Sequence, residues 1–560
     1  MKSYAILAAV FALMPTTWGQ LIEPGAAASF AKDLEKAKGF IQLGNRESAL
    51  PILERLVKIY DRDGDVRFQL GVALVGVRRY EDAIPHYEAA LKLGAFSNKF
   101  EAGCHYDLAC CYARLGKQDM ALQELKLALG KGFRDIEHLR SDEDLASLHT
   151  HKEWEELAAT KDTSKMSRDE AWRYDLWFLN RELRRIHLNP YRFYTPKQFD
   201  DFVSQSRKEI PKLTDSQIMV RLIRLMAMAG DGHTGMRPAQ GTPALNTFPI
   251  QAFEFEEGWF ITAAHPSVAE LAGAQILAMD GVPIQEVFDR TNPYLSQDNP
   301  QNARATFAGR MMIGALMNGI GITKSATEAT FSMKLISGET KSVKLQTGAE
   351  QPGADWVFGR KSDGVPLYLK NRTKAYYMEP LPNLNAMYVQ YYAVRNEGSE
   401  SLSAFAKRVF ETMDKDNIQR LILDVRYNGG GNTFLSQPIH EGIMRRERLN
   451  QKGNLFVITG RNTFSAAQNF TTDIGRYSKP IYVGEPTGSS PNFTGESVRF
   501  TLPYSKATCS VSDLHWQRSW PMDHRIWIAP DLPAPPVFKL YFENRDPAME
   551  AIEAYLKAGA

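Results

Sequence analysis

A serine in a strand–turn–helix segment is the first candidate for chemistry in this 560-residue chain. The run NLFVITGRNTFSAA at 454–467 predicts a buried strand, a polar turn and a helix that begins at or near Ser465. A helix N-terminus offers free N–H groups and a positive dipole end, so Ser465 could be a nucleophile with the Ala466 N–H beside it. Serine is also a common helix N-cap, and for this segment alone that interpretation stays open.

A second segment, LILDVRYNGGGN at 421–432, ends a hydrophobic strand in three glycines. Glycines let a backbone approach a ligand closely and turn its N–H groups outward, which suits an oxyanion hole. A phosphate-binding loop is the competing interpretation. The Lys-Ser/Thr pair that follows such a loop is absent here, which disfavours it.

A third segment, GDGHTG at 230–235, follows a predicted helix at residues 215–229. Three glycines around His233 predict a tight turn that could present the imidazole. Histidine needs little pKa adjustment to act as a general base near neutral pH. His233 could instead simply cap the preceding helix.

Composition and the N-terminus restrict the class of protein. The formal net charge is +2, so no strong field attracts nucleic acid, and we expect no nucleic-acid partner.

The N-terminus predicts a signal peptide over residues 1–19 and a secreted or periplasmic protein. The signs are Lys2, an apolar run at 5–14 and small residues before Gln20. A buried N-terminal helix is the alternative. We expect no membrane span, cofactor or metal, since no later apolar run is long enough and no zinc motif occurs.

Residues 28–136 form a predicted repeat. The repeated segments align at Ala49, Ala83 and Ala121, at spacings of 34 and 38 residues. Small residues that would let paired helices approach recur upstream, at Gly44, Gly71 and Ala109. This pattern resembles the tetratricopeptide repeat, with a generic helical bundle as the alternative. Either structure provides an interaction surface, so we expect a protein partner at the repeats.

The remaining chain divides by pattern into a connector at 137–166, a helical segment at 167–240, a strand-rich segment at 241–346 and an alternating segment at 347–560. In the third, residues 272–284 read as two strands around an Asp280-Gly281 turn. This resembles the central hairpin of a PDZ domain, which binds extended peptides at a sheet edge. An unrelated small β-domain is the alternative. In the fourth, strands and helices alternate, which predicts an α/β layer with a mainly parallel sheet.

The three chemical segments and the hairpin occur in an order that resembles the tail-specific, or C-terminal-processing, serine peptidase family. The closer likeness is to the branch with the tricorn protease core and the interphotoreceptor retinoid-binding protein repeats, and it covers about 167 to the C-terminus. It implies a multidomain chain with an all-α repeat domain, an α+β PDZ-like domain and an α/β, ClpP/crotonase-like peptidase core.

The resemblance also implies how the serine is activated. One branch uses a lysine after the serine, but residues 484–491 contain none, and Lys479 and Lys506 only flank that stretch. The other branch uses a histidine before the PDZ domain, which matches His233, and a late acidic residue. Asp523 is the best match to that acid, with Asp513 and Asp531 nearby.

The implied site therefore has Ser465, His233 and Asp523 as catalytic residues. The N–H groups of Gly430 and Ala466 form its oxyanion hole. His515 and His524 are rival late histidines. Two positions depart from the family pattern: Gln468 stands where members often carry glutamate, and Gly232 stands where the tricorn branch has a helper serine.

The expected function is that of a secreted serine peptidase that hydrolyses proteins or peptides through a Ser465 acyl-enzyme, with His233 as base. A catalytically inactive peptidase-fold scaffold, binding proteins through its repeats and PDZ-like domain, is the first alternative. A binder of hydrophobic small ligands is the second. The scaffold is distinguished from the peptidase by whether Ser465, His233 and an acid converge. The ligand binder predicts an apolar pocket near the glycine loop without a positioned nucleophile.

Overall fold

The computed structural model describes residues 24–94, 100–133, 135–158, 161–239, 245–348 and 355–559. The predicted signal peptide at 1–19 lies outside the described residues. The chain divides into two compact units, Met1–Asp162 and Thr163–Ala560. Within the described ranges, no helix combines the length and apolar character needed to cross a bilayer.

The first unit is built from helices. These are α1 (Pro24–Gln42), α2 (Arg46–Ile59), α3 (Gly64–Gly76), α4 (Tyr80–Leu93), α5 (Phe100–Arg114), α6 (Gln118–Gly130), α7 (Ile136–Ser141) and α8 (Trp154–Ala158). The three aligned alanines, Ala49, Ala83 and Ala121, lie on α2, α4 and α6 and are all fully buried. The repeated small residues thus occupy equivalent core positions in a continuous stack of helices, as the sequence predicts.

Close helix approach explains one of the small residues upstream of the alanines. A methyl group added to Gly71 on α3 would lie 2.7 Å from Cε1 of Tyr87 on α4. The Tyr87 ring is itself buried, so it has little room to move aside. Gly71 is therefore required by the contact between the two helices.

The cysteines of this unit belong to its core. Cys104, Cys110 and Cys111 lie on α5, and they are free and buried. Burial raises the pKa of Cys104 and of Cys111 to about 12. These thiols therefore stay protonated near neutral pH and act as small apolar side chains.

The second unit mixes helices and strands. Its helices are α9 (Arg168–Ile186), α10 (Pro196–Glu209), α11 (Asp215–Ala227), α12 (Ile284–Thr291), α13 (Pro300–Arg310), α14 (Gly314–Ile320), α15 (Leu402–Lys415), α16 (Gln437–Met444), α17 (Ala466–Tyr477), α18 (Phe538–Phe542) and α19 (Pro547–Lys557). Its strands are β1 (Gly235–Arg237), β2 (Ile250–Phe255), β3 (Gly258–Ala264), β4 (Gln275–Met279), β5 (Val282–Pro283), β6 (Glu328–Lys334), β7 (Thr340–Gln346), β8 (Val357–Phe358), β9 (Tyr376–Leu381), β10 (Ala386–Tyr391), β11 (Arg420–Asp424), β12 (Leu455–Thr459), β13 (Ile481–Gly484), β14 (Asn492–Gly495), β15 (Val498–Thr501), β16 (Thr508–Val511), β17 (Leu514–Gln517) and β18 (Leu532–Pro533).

The main sheet has the strand order β18-β13-β12-β11-β10-β9. Its strands are parallel except β9, which pairs antiparallel with β10. On β11, Leu421 and Leu423 pack in one hydrophobic core with α15 and α17, while Ile422 packs in another with α19. The sheet is therefore covered by helices on both faces, which explains why its strands read as continuous apolar runs.

This topology determines where the chemical segments meet. The glycine loop follows β11, and the Ser465 turn follows β12, the neighbouring parallel strand. The carboxyl ends of parallel strands lie at the same edge of a sheet, so the two segments are brought side by side.

A second sheet has the order β2-β3-β4-β6-β7, with β5 paired to β4 and β8 to β3. The predicted hairpin is present, because β4 and β5 pair antiparallel around Asp280 and Gly281. Both turn residues have positive φ, 45° and 82°, as a tight two-residue hairpin turn requires. There are two smaller sheets, β1-β16-β15 and β14-β17. Strand β1 begins two residues after His233, and Gly495 at the end of β14 lies close to the His233 ring.

We expect the Gly71→Ala variant to unfold more easily, by about 1–3 kcal/mol, because the methyl group overpacks the Tyr87 contact. Urea unfolding followed by far-ultraviolet circular dichroism measures this. Gly103→Ala is the matched control, since a methyl group on this α5 glycine meets nothing within 4 Å. The free energy of unfolding of that variant should rise by about 0.5–1 kcal/mol, because alanine is a better helix former than glycine. Equal destabilisation of both variants would contradict the packing argument.

Candidate active site

Ser465 has an unusual backbone conformation at the junction of β12 and α17. Its φ and ψ are 56° and −126°, and its side chain makes no capping hydrogen bond. A positive φ is uncommon for a residue with a side chain and is found preferentially at functional sites. Ser465 thus occupies the N-cap position of α17, but its hydroxyl does not cap the helix.

The turn that holds Ser465 is fixed by hydrogen bonds to the preceding strand. The Thr463 hydroxyl donates to the Val425 carbonyl (2.9 Å) and accepts from the Gly460 N–H (3.1 Å). The Phe464 N–H donates to the Asn428 carbonyl (3.1 Å). Because these contacts cross from β12 to the end of β11, the serine and the glycine loop are positioned together.

His233 contacts the serine directly. Its Nε2 lies 2.9 Å from Ser465 Oγ, within hydrogen-bond distance. The imidazole stacks on the Phe464 ring (centroids 4.5 Å apart, planes at 23°) and is parallel to the Phe493 ring (5.7 Å, 7°). Two aromatic rings thus define the plane of the imidazole, and His233 does not serve as a helix cap.

A buried carboxylate organises the turn that carries His233. Asp231 Oδ1 accepts hydrogen bonds from the N–H groups of His233 (2.9 Å) and Thr234 (2.8 Å) and from the Ser512 hydroxyl (2.6 Å). Its Oδ2 is bonded to Nε2 of His187 at 2.8 Å. Burial raises the pKa of Asp231, but the hydrogen bonds, led by that of His187, outweigh it and hold the pKa below its ordinary value. Asp231 is therefore an anion at neutral pH.

A second buried carboxylate lies beside the same turn. Asp298 accepts from the Gly232 N–H (2.7 Å) and from the Ser489 hydroxyl. Burial raises the pKa of Asp298, and the charge of His233 partly offsets this effect. Asp298 thus lies beside the backbone of the turn that carries His233. Sequence analysis did not assign a role to Asp231 or Asp298. Asp231 could have been noticed because it lies two residues before His233 in the same glycine-rich turn, whereas nothing in the sequence pointed to Asp298.

Close packing explains the glycine at position 232. A Cβ added there would lie 2.7 Å from the Phe464 ring and 2.8 Å from Oδ1 of Asn302. A serine side chain does not fit this space. The Phe464 ring, which stacks on His233, thus occupies the space that the helper serine of the tricorn branch would need.

The glycine loop lies against Ser465. Gly430 has a φ of 106°, and a Cβ on it would lie 2.6 Å from the Ser465 Cβ and 2.9 Å from the Ala466 nitrogen. The Gly430 N–H, however, donates to Oδ1 of Asn428 at 2.9 Å. Ala466 is the first residue of α17, so its N–H has no acceptor within the helix. Of the two expected oxyanion donors, Ala466 is therefore available, and Gly430 is engaged by its own loop.

The structure does not bring Asp523 to the histidine. Its carboxylate accepts from the Arg525 guanidinium (2.9 and 2.7 Å) and from the Ser519 hydroxyl. These bonds, chiefly that of Arg525, hold the pKa of Asp523 well below its ordinary value. Within the described residues, Nδ1 of His233 is buried and has no hydrogen-bond partner. The expected Asp523–His233 contact is thus corrected, because Arg525, two residues away, takes the carboxylate.

Other singled-out residues have structural positions. Asp531 accepts from the Tyr482 N–H (2.8 Å), which fits a closing turn. Lys506 Nζ donates to the Pro503 carbonyl (2.6 Å). Gln468 is fully buried on α17, where its amide nitrogen lies 3.2 Å from the Thr472 hydroxyl. In the described parts of the chain, no cluster of three His, Cys, Asp or Glu side chains could hold a metal ion.

Comparison with known proteins agrees with this architecture. The repeats match the family model of the tetratricopeptide repeat over residues 34–98 and 68–132. A chloroplastic protein of Arabidopsis thaliana is 31% identical over 132 residues, which is 23% of this chain and 38% of that protein. The chain thus spans well under half of that relative.

Among solved structures, mature CPAF is similar with a TM-score of 0.50 and 13% identity. The match covers 70% of this chain and 97% of that one. Mature CPAF complexed with lactacystin gives a TM-score of 0.50, 11% identity and the same coverage. The predicted fold is therefore confirmed: helical repeats are followed by a sheet-rich peptidase fold.

We expect Gly232→Ala to slow the reaction of Ser465 with a neutral fluorophosphonate by about 10²-fold, because the methyl group displaces Phe464 and the imidazole that stacks on it. The labelling rate measures the effect. Gly235→Ala is the control in the same turn, since its Cβ would make only an ordinary 3.5 Å contact with Ser296 Oγ. An equal rate for the two variants would contradict the proposed role of the ring contact.

We also expect Asp231→Ala to reduce the labelling rate by about 10²-fold, since two backbone N–H groups of the His233 turn lose their acceptor. Asp523→Ala should leave the rate within about twofold of wild type, because Asp523 is bonded to Arg525 and Ser519. Circular dichroism confirms that both variants are folded. A large loss in Asp523→Ala alone would restore Asp523 as the orienting acid.

Proposed function

We propose that this protein is a serine peptidase in which Ser465 is the nucleophile and His233 is the general base. The observation that carries the proposal is the 2.9 Å contact between His233 Nε2 and Ser465 Oγ. Such a contact between a nucleophile and a base is what acyl transfer requires. The positive φ of Ser465 supports it, since a strained strand-to-helix turn exposes a nucleophile in other hydrolases.

The proposed reaction begins when Ser465 Oγ attacks the scissile carbonyl and its proton passes to His233 Nε2. The negative charge that develops on the carbonyl oxygen is stabilised by the Ala466 N–H and the positive end of α17. His233 then returns the proton to the leaving amine, which leaves an acyl-enzyme. Water, activated by the same imidazole, releases the acid product and restores the serine.

The charge that forms on His233 needs a counterion nearby. Asp298 lies beside the turn and interacts electrostatically with His233, although the two side chains share no hydrogen bond in the described structure. In this proposal Asp298 lowers the free energy of the imidazolium, while Asp231 and the two phenylalanine rings orient the ring. The site therefore operates as a Ser–His pair with separate charge stabilisation and orientation.

The substrates and the location are part of the same proposal. Peptides or proteins are the proposed substrates, and the strand-rich second sheet is the proposed PDZ-like, peptide-binding element. The tetratricopeptide repeats suggest a protein partner at the first unit. The residues at 1–19 favour secretion or a periplasmic location.

The test is covalent labelling with a neutral fluorophosphonate on the full chain. Wild type should be labelled at one site, and Ser465→Ala should lose the label completely. His233→Ala should react about 10²–10⁴-fold more slowly, the usual contribution of a general base. Ser403→Ala, at an exposed serine on α15, is the control and should react like wild type.

Labelling that persists in Ser465→Ala would overturn the assignment of the nucleophile. A wild-type protein that is folded and never labelled would favour the inactive scaffold. Peptide cleavage by wild type that is lost in Ser465→Ala would establish the peptidase activity.

A further inference from the structure

A cavity of 690 Å³ in the second unit lies next to the Ser–His pair. Its wall includes Gly429, the neighbour of Gly430, and Phe464, the neighbour of Ser465. The Phe464 ring that lines the cavity also stacks on His233. The cavity is therefore lined by residues directly adjacent in sequence to Gly430 and Ser465. A substrate held at Ser465 could extend into it.

The lining of this cavity is strongly cationic. It contains six basic side chains and two carboxylates, although the whole chain has a net charge of only +2. The basic residues are Arg304, Arg372, Lys374, Arg395, Arg426 and Arg461. A concave surface of one sign concentrates the field and attracts groups of the opposite charge.

The two carboxylates are already engaged. Glu485 pairs with Arg461, and Glu254 pairs with both Arg461 (3.1 Å) and Arg304. Arg461 is itself buried. These contacts form a compact network in which each acid has a basic partner, so neither acid neutralises the rest of the lining.

The remaining cations divide into two groups. Arg426 is neutralised from behind the cavity wall by two aspartates, each at 2.8 Å, and Arg395 lies 3.8 Å from the Glu397 carboxylate. Arg372 and Lys374 have no carboxylate partner among the described residues, and both are exposed. The surplus of positive charge in the cavity therefore resides mainly on these two side chains.

Arg372 is also positioned relative to the active-site loop. Its guanidinium lies over the Tyr427 ring, 5.2 Å from the centroid, and Tyr427 precedes the glycine loop. Tyr427 is in turn stacked with Tyr368 and Tyr392, with centroids 6.1 and 6.4 Å apart. An aromatic surface fixes a guanidinium without neutralising it. Arg372 is thus held at the wall, with its fork of N–H donors still available.

We infer that this cavity is a substrate subsite that binds a carboxylate of the peptide, through Arg372 and Lys374. The inference rests on the proposed peptidase function. Guanidinium and ammonium groups bind carboxylates through charge-assisted hydrogen bonds, and these bonds are stronger in a partly enclosed site than in open water. The carboxylate belongs either to an aspartate or glutamate side chain or to the C-terminus of the substrate.

The experiment compares cleavage of a peptide library by the full-length protein, with cleavage sites read by mass spectrometry. Every peptide is present in four forms, which combine Glu or Gln at the varied position with a free or an amidated C-terminus. Wild type should prefer a carboxylate at one fixed distance from the scissile bond, by about tenfold in kcat/KM, as for one charge-assisted contact of about 1.4 kcal/mol. A preference for Glu identifies the side chain, and a preference for the free acid identifies the terminus.

The Arg372→Gln/Lys374→Gln double variant should lose this preference and cleave acidic and neutral peptides at similar rates. Lys415→Gln is the control, since it removes an exposed lysine at the end of α15, outside the cavity. This variant should retain the preference for a carboxylate. The preference should also weaken with added salt. Cleavage of acidic and neutral forms at equal rates by wild type, or an unchanged preference in the double variant, would overturn the inference.

Failure of the proposed function gives a different result. Fluorophosphonate labelling uses a neutral probe, so it should be equal in wild type and in the double variant if only the subsite is changed. If wild type is neither labelled nor cleaves any peptide, the peptidase proposal is overturned, and this inference with it. Normal labelling with no preference for a carboxylate would overturn the subsite alone.

Discussion

The contact between His233 and Ser465 joins residues that are 232 positions apart in the chain. Neither residue could hold this geometry through its own segment. The serine is held by a strained turn that is hydrogen-bonded to the end of β11, and the histidine is held by a turn wrapped around the buried Asp231 carboxylate. Phe464 connects the two, because it precedes the serine and stacks on the imidazole. The chemistry of the site therefore depends on packing between two loops.

Buried charge is used in two ways around this contact. Asp231 is fully hydrogen-bonded and acts on the backbone of the His233 turn, so it determines position. Asp298 accepts from the Gly232 N–H beside the histidine and, in the proposed mechanism, is the counterion for the imidazolium. A direct carboxylate–imidazole hydrogen bond would combine both tasks in one residue. Here Nδ1 of His233 has no such partner in the described part of the chain, and the tasks are separated.

The same sheet edge also explains why a charged cavity adjoins the reacting atoms. The loops after β11 and β12 hold the glycine loop and Ser465. The same two loops contribute Gly429 and Arg461 to the lining of the cavity. The basic residues that lack partners lie on another segment, just before β9. The proposed catalytic pair and the proposed carboxylate subsite thus reside on different parts of the chain, so each can be changed separately.

Much of this protein could be predicted from the sequence, because the signals were local. Apolar runs specified the strands of the main sheet, the alanine period specified the stacked helices, and Asp280-Gly281 specified a hairpin. Ser465 and His233 were singled out as candidates by short motifs, since glycines and a strand-to-helix junction carry their own geometry, and the order of these motifs along the chain gave the family resemblance. The tertiary structure alone decided which partners the polar groups have. Asp523 pairs with Arg525, the Gly430 N–H is taken by Asn428, and Asp298 accepts from the Gly232 N–H beside His233. A carboxylate or an N–H bonds whichever group packing brings within about 3 Å, and that distance depends on loops far apart in sequence.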